Sequence, residues 1–259
     1  MEKPSGETSG RHISQIETIW PVLMQAHGGT PDAISAAQQV ILSRYRPAVY
    51  RYLLACVGSA DAADELCSEF TLRFVRGDFR NADPEKGRFR DLLKTALYHL
   101  IIDYHKRRQR GMQPLAADGR DVPDSVDSVC DSDKQFLETW RANLLNKTWD
   151  ALAEEERRTG QPLHTVLHFR AAHPKLRSAQ MAEQLGERLG RSVTADWVRK
   201  WLHHGRERFA DLLLHEVAAS LREPTLDSVE EELIDLGLFE YCKTAVAEWR
   251  ERQAGHASP

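Results

Sequence analysis

Residues 87–108 read Gly-Arg-Phe-Arg-Asp-Leu-Leu-Lys-Thr-Ala-Leu-Tyr-His-Leu-Ile-Ile-Asp-Tyr-His-Lys-Arg-Arg, and this stretch decides the fold. Leu92, Leu93, Ala96, Leu97, Leu100 and Ile101 recur at i, i+3 and i+4, the spacing of one buried helical face. Arg88, Phe89 and Arg90 lead in, and His105, Lys106, Arg107 and Arg108 close the segment. Such a helix buries its middle and offers cations and rings at its ends. Cations attract phosphates, and rings give unstacked bases a surface to stack on. A plain core helix with a solvated basic end has the same composition, so the neighbours must decide.

Two stretches precede it. Ser43-Arg44-Tyr45-Arg46-Pro47-Ala48-Val49-Tyr50-Arg51-Tyr52-Leu53 is followed by Asp61-Ala62-Ala63-Asp64-Glu65-Leu66-Cys67-Ser68-Glu69-Phe70, then by Leu72-Arg73-Phe74. In this order, the series from about Val40 to Arg110 resembles region 2 of the extracytoplasmic-function (ECF) sigma factors, removable specificity subunits of bacterial RNA polymerase. The resemblance implies a helical domain that docks on core RNA polymerase and reads the −10 promoter element.

The rest of the chain fits a helical protein. Its 259 residues suffice for two small domains with extensions. Period-two alternation is nearly absent, while Leu, Ala, Glu, Arg and Gln abound. No apolar run approaches the roughly 20 residues of a membrane span, and the polar start Met1-Glu2-Lys3-Pro4 has no signal-peptide core. Cys56, Cys67, Cys130 and Cys242 are scattered without a C-x-x-C pair, the pattern of four reduced cytosolic thiols. The net charge of −4 does not announce a DNA binder, but the charge is segregated. Cations gather at 86–110 and 199–208, acids at 118–133 and 223–240, as suits separate DNA-facing and protein-facing surfaces. No P-loop, G-x-S-x-G or Rossmann fingerprint appears, and the histidines lack a metal-ligand pattern. The sequence thus predicts a non-enzyme with no cofactor and no metal.

The expected architecture is all-α: two small helical domains joined by a flexible acidic linker. Residues 1–37 form an N-terminal extension, with a helix broken at Gly28-Gly29-Thr30-Pro31 and Asp32 able to cap the next helix. Residues 38–110 form the first domain, and 111–133, rich in Asp, Gly and Pro, the linker. Residues 134–220 form the second domain, opening with Phe136, Leu137, Trp140, Leu144, Leu145, Trp149 and Leu152 on one helical face. Within it, Ser178–Gly186 and the helix from Asp196 look like the two helices of a helix-turn-helix, with Ser178 as a plausible N-cap. That pair lies where region 4 of a sigma factor stands, which implies reading of the −35 element. The turn is longer than usual in the family, and Trp197, Trp201 and His204 depart from its pattern. Both tryptophans also suit packing against the domain's first helix. Residues 221–259 are an extension resembling that of planctomycete-like ECF factors. Val229, Leu233, Leu236, Leu238, Tyr241, Ala245 and Trp249 form its apolar stripe, and Glu230, Glu231, Glu232, Asp235 and Glu240 its acidic surface. The stripe favours packing on the second domain over a switch.

The resemblance assigns site residues by position. Asp61, Asp64, Glu65, Ser68 and Glu69 would bind core polymerase. Asn81, Asp83, Lys86 and Gly87 would hold a flipped base of the −10 element, and Arg88, Arg90, Lys94, His99, Asp103, Lys106 and Arg107 would meet its phosphates and neighbouring bases. Ser178, Thr194, Asp196, Trp197, Arg199, Lys200, His203 and His204 would face the −35 element. The implied function is promoter recognition and melting in a cytoplasmic transcription initiation complex. The implied partners are core RNA polymerase and promoter DNA, with an anti-sigma factor or Ser/Thr kinase as regulator and no membrane. A stand-alone helix-turn-helix repressor accounts for the second domain but not the first. A protein-binding adaptor predicts no promoter-specific transcription.

Overall fold

The computed structural model describes residues 18–83, 85, 87–112 and 132–256. Among these it shows ten α-helices and no strand, the all-α fold expected. They fall into two compact units, Thr18–Asn146 with Ser220–Arg222, and Lys147–Ala219 with the chain from Glu223 on.

The first unit holds α1 (Ile19–Gln25), α2 (Pro31–Val57), α3 (Ala60–Arg76) and α4 (Phe89–Met112). Pro31 sits at the start of α2, where its missing N–H costs nothing. The cap is Thr30, whose hydroxyl accepts from Ala33 N–H, and Asp32 lies in the first turn instead of capping. Ser59 caps α3 in the same way, accepting from Ala62 N–H. Gly58 ends α2 as the Gly58-Ser59 break predicts. Buried Tyr45, Val49, Tyr52 and Leu53 of α2 meet Leu66, Phe70 and Phe74 of α3 and Phe89, Leu93, Leu97 and Leu100 of α4 in one core.

α5 (Ser132–Thr159) differs from expectation. Its first turns complete the first unit: Trp140 stacks on Tyr45 at 5.5 Å with planes 2° apart, and Phe136 meets Tyr52 edge-on at 5.3 Å. The compact units therefore divide between Asn146 and Lys147, and residues 134–146 pack in the first unit, not the second. The reason is that α2 and α4 leave an aromatic face, Tyr45, Tyr52 and Phe89, which two more rings cover. Most of the expected acidic linker, 113–131, and the N-terminal segment 1–17 lie outside the described residues.

The second unit takes the rest of α5, then α6 (Leu163–Ala172), α7 (Ser178–Leu189), α8 (Ala195–Ser220), α9 (Leu226–Asp235) and α10 (Phe239–His256). Its core joins Leu152, Leu163, Val166, Phe169, Met181, Leu185, Val198 and Leu202, with Trp149, Trp197, Trp201 and Phe209 packed around it. α6 and α8 cross closely at Gly205, where a Cβ would lie 3.2 Å from the Leu163 carbonyl oxygen. α9, α10 and the turn between them bury Val229, Leu233, Leu236, Leu238, Ala245 and Trp249, and the Trp249 indole donates to Asp211 of α8 at 2.8 Å. Two expectations fail here. Tyr241 is 79 % exposed, outside the apolar stripe, and Glu232 is buried, outside the acidic surface. Glu232 lies one turn after Val229 and shares its inward face, whereas Cys242, Ala245 and Trp249 set the inward face of α10 and leave Tyr241 off it.

Cys67 and Cys242 are free and buried, whereas Cys56 is disulfide-bonded, so four reduced thiols is not the arrangement found. No described helix is long and apolar enough to cross a membrane.

Candidate nucleic-acid interface

The amphipathic spacing of α3 turns Ala62, Ala63, Leu66, Cys67 and Phe70 inward. Asp61, Asp64, Glu65 and Ser68 are thereby exposed on one outer face, which Leu72 and Val75 continue. These two apolar residues are half exposed, a signal that helical spacing from Ser68 shows once the acids are taken as a face. Ser68 donates its hydroxyl to the Asp64 carbonyl at 2.9 Å. Asp64 also lines a groove of about 790 Å3 between α2 and α3, with Leu42, Arg46, Tyr50, Cys67 and Val75.

Glu69 points elsewhere. Its two carboxylate oxygens accept from Arg73 at 2.6 Å and from Arg107 of α4 at 2.7 Å. Arg73 also donates to Asp103 at 3.1 Å. Burial pushes the Glu69 carboxyl up, but Arg107 and Arg73 outweigh it and hold the group below the usual carboxylate range. The hydrogen bond to Glu69 in turn raises Arg107. One residue expected on the polymerase face and two expected on the DNA face thus form a single ion-pair network.

The described residues between Gly77 and Gly87 lie outside the α-helices, where the sequence's Asn, Asp, Pro and Gly predict a loop. Asn81 and Gly87 are exposed, and Asp83 accepts from Glu85 N–H at 2.9 Å. Lys86 lies outside the described residues. Arg88 is half-buried at the start of α4. Arg90 is only 8 % exposed, so it belongs to the packed side of α4 and is not brought to a phosphate-facing surface. Lys94 pairs with Asp133 of α5 at 2.5 Å. Lys106 and Arg107 are exposed on the last turns. His99 is exposed and lines a cleft of about 250 Å3 with Phe70, Arg73, Phe79, Thr95 and Leu100. This cleft has an aromatic floor and a polar rim, and is large enough for a nucleobase. Sequence reading missed Phe70, Phe79 and Thr95, since an aromatic in a helical stripe reads as core.

On the second unit, α7 begins at Ser178 itself, so Ser178 is not its N-cap. Gln180 folds back to accept the Arg177 N–H at 2.9 Å and satisfies that donor instead. Thr194 caps α8 by accepting from Trp197 N–H at 3.2 Å. Asp196, Arg199, Lys200, His203 and His204 are exposed together along α8. Arg199 is ion-paired with Asp196. His203 and His204 share Glu207 at 3.2 and 3.5 Å. Trp197 and Trp201 are half-buried against the core, their ring centroids 6.1 Å apart. Among the described residues no group of three His, Cys, Asp or Glu is placed to hold a metal ion.

Residues 41–111, which span most of α2, all of α3 and nearly all of α4, match the family Sigma-70 region 2. The match supports a sigma-70 family factor, a non-enzymatic subunit that takes RNA polymerase to promoters. No curated protein and no solved structure matched the chain.

Proposed function

We propose that this chain is an ECF-type sigma factor, acting in the cytoplasm on core RNA polymerase and promoter DNA. The observation that carries the reading is that the unit matched to region 2 bears two different surfaces. The outer face of α3 offers Asp61, Asp64 and Glu65 beside exposed Leu72 and Val75, a charged and apolar patch suited to a protein partner. α4 offers Lys106, Arg107 and a cleft with an aromatic floor, suited to phosphates and an unstacked base. Capturing an unpaired base lowers the free energy of the open strand and favours melting. No bond is made or broken.

In this reading α7 and α8 form a helix-turn-helix for the −35 element, with the exposed side of α8 toward the major groove. The extension packs on α8 as part of the second unit, which adds burial to a small domain. From the resemblance we also take an anti-sigma factor or a Ser/Thr kinase as the regulator. Run-off transcription with purified core polymerase tests the reading. Promoter-specific transcripts that require this protein are expected. Promoter binding without polymerase would make it a repressor, and core binding without transcripts an adaptor.

A further inference from the structure

We propose that Arg191, in the turn between α7 and α8, is a DNA phosphate contact held ready by the ring of Trp197. The proposal rests on reading α7 and α8 as a DNA-binding pair.

The turn is built to place this residue. Gly190 ends α7 at φ +62, and Arg191 N–H donates back to the Gly186 carbonyl at 3.1 Å, with Gly190 N–H donating to Glu187 at 3.4 Å. This pair of bonds is a Schellman closure, and it sets where the chain leaves α7. A Cβ on Gly186 would lie 3.1 Å from the Arg191 carbonyl oxygen, so the close approach needs glycine there. Three residues later Thr194 caps α8. Arg191 thus stands beside the N-terminal turn of the helix read as the groove reader, where a duplex backbone would pass.

Its side chain is ordered without being consumed. The guanidinium lies over the Trp197 ring at 5.1 Å, while Arg191 stays exposed. Stacking uses the face of the guanidinium and leaves its N–H donors, which lie in the plane, free for a phosphate. Among the described residues Arg191 has no ion pair. Arg199, the more obvious candidate on α8, is already ion-paired with Asp196. Trp197 is then a positioning residue: it reduces the side-chain freedom that Arg191 would otherwise lose on binding.

The test uses holoenzyme reconstituted from core polymerase and the full chain, on the duplex that the unaltered holoenzyme selects from a randomised promoter library. Affinity is measured across a salt series. Arg191→Ala is expected to weaken binding about tenfold, as for one charged hydrogen-bonded contact. The slope of log K against log salt should become shallower by about 0.9. The selected sequence should stay the same, because phosphate contacts carry no sequence information. Trp197→Ala should lose the same salt dependence, and Trp197→Phe, which keeps a ring, should regain it even if Trp197→Ala loosens the unit. An unchanged slope for Arg191→Ala, with Arg199→Ala and Lys200→Ala still weakening binding, overturns the proposal and leaves the reading of α8 standing. A changed selected sequence overturns the phosphate assignment. An equal loss from Arg188→Ala, a cation over Phe169 in the last turn of α7, overturns it too, since net charge and not placement would be responsible. If no variant on this unit alters binding, or the library yields no selected duplex, the DNA-binding reading itself falls.

Discussion

Replacing Trp140 with Ala tests where the first unit ends. Trp140 is 1 % exposed and touches three rings: Tyr45 at 5.5 Å, Phe89 at 6.4 Å and Phe136 at 6.3 Å. Truncating a buried Trp to Ala typically costs about 3–5 kcal/mol from lost transfer energy and the cavity left behind. The parallel stack on Tyr45 belongs to the aromatic-pair range of about 0.5–1.5 kcal/mol beyond area, which places the cost toward the upper end. One effect opposes it: among the described residues the buried indole N–H has no partner, and its removal relieves about 1–3 kcal/mol. The net expectation is a loss of about 2–4 kcal/mol, or roughly thirty- to a thousandfold in the opening constant. Trp140→Phe removes the same orphan donor but keeps a ring, and should cost less than about 1.5 kcal/mol. Hydrogen exchange of the full chain reads each unit separately. Peptides from α2, α3 and α4 should exchange faster in Trp140→Ala, while those from α6 and α7 stay unchanged. Leu152→Ala should do the reverse, because Leu152 lies in the second core. A Trp140→Ala loss below about 1 kcal/mol, or faster exchange in α6 instead, would refute the assignment of residues 134–146 to the first unit.

Three further outcomes are expected. Charge reversal of both Asp64 and Glu65 to Lys should abolish co-purification with core polymerase while circular dichroism stays helical, because both side chains are exposed and make no core contact. Burial, reinforced by His168 stacked at 5.2 Å, lowers the His164 pKa below 6.5, so the unfolded chain takes up that proton first; its contribution to stability is full above 6.5 and fades as pH falls through that value, and His164→Gln should flatten this part of the melting-versus-pH curve. Gly205→Ala gains about 1 kcal/mol of helix propensity but forces a Cβ to 3.2 Å from the α6 backbone, where overpacking costs about 1–3 kcal/mol; thermal melting should show a net loss, and a raised melting temperature would show that α6 can yield.

Local structure was the legible part. Helical spacing with Gly and Pro punctuation placed α6 at Leu163–Ala172, the break at Gly58 and Ser59, and the loop after α3. These depend on residues a few positions apart. Pairings between distant residues were not legible. A stripe through Phe136 and Trp140 says that the face is buried, but not against which helix, and the partners Tyr45 and Tyr52 lie far upstream. The partnership of Glu69 with Arg107 spans 38 residues, so resemblance alone divided them between two surfaces. Arg90 shows the same limit, because a cation at a helix start reads as exposed until the packed side of α4 is known. Caps failed for a narrower reason: α2 and α7 begin one or two residues earlier than caps at Asp32 and Ser178 would require, so Thr30 caps α2 and Arg177 stands at the cap position of α7.

The ion pairs also bear on the proposal that this chain acts on DNA together with a polymerase. Several of the cations proposed to meet phosphates are matched within the protein: Arg107 by Glu69, Lys94 by Asp133, Arg199 by Asp196. Each is a surface pair of about 0.2–1 kcal/mol, so a phosphate can displace any one acid at small cost. Displacing several at once is a larger cost, and it falls on a chain whose net charge of −4 already repels the duplex at long range. Unaided binding should therefore be weak and strongly salt-dependent. A partner docked on the acidic face of α3 changes both factors. It neutralises Asp61, Asp64 and Glu65, and any cation it brings near Glu69 competes with Arg107 for the same carboxylate. Docking on one surface would then free a cation on the other, through a network that needs no change of fold. Glu69→Gln separates this coupling from simple charge neutralisation. It should raise the affinity of the chain for DNA in the absence of polymerase by up to about fivefold, the equivalent of one exposed ion pair. If Glu69→Gln leaves that affinity unchanged while Arg107→Ala lowers it, Arg107 reaches phosphate without leaving Glu69, and the two surfaces act independently.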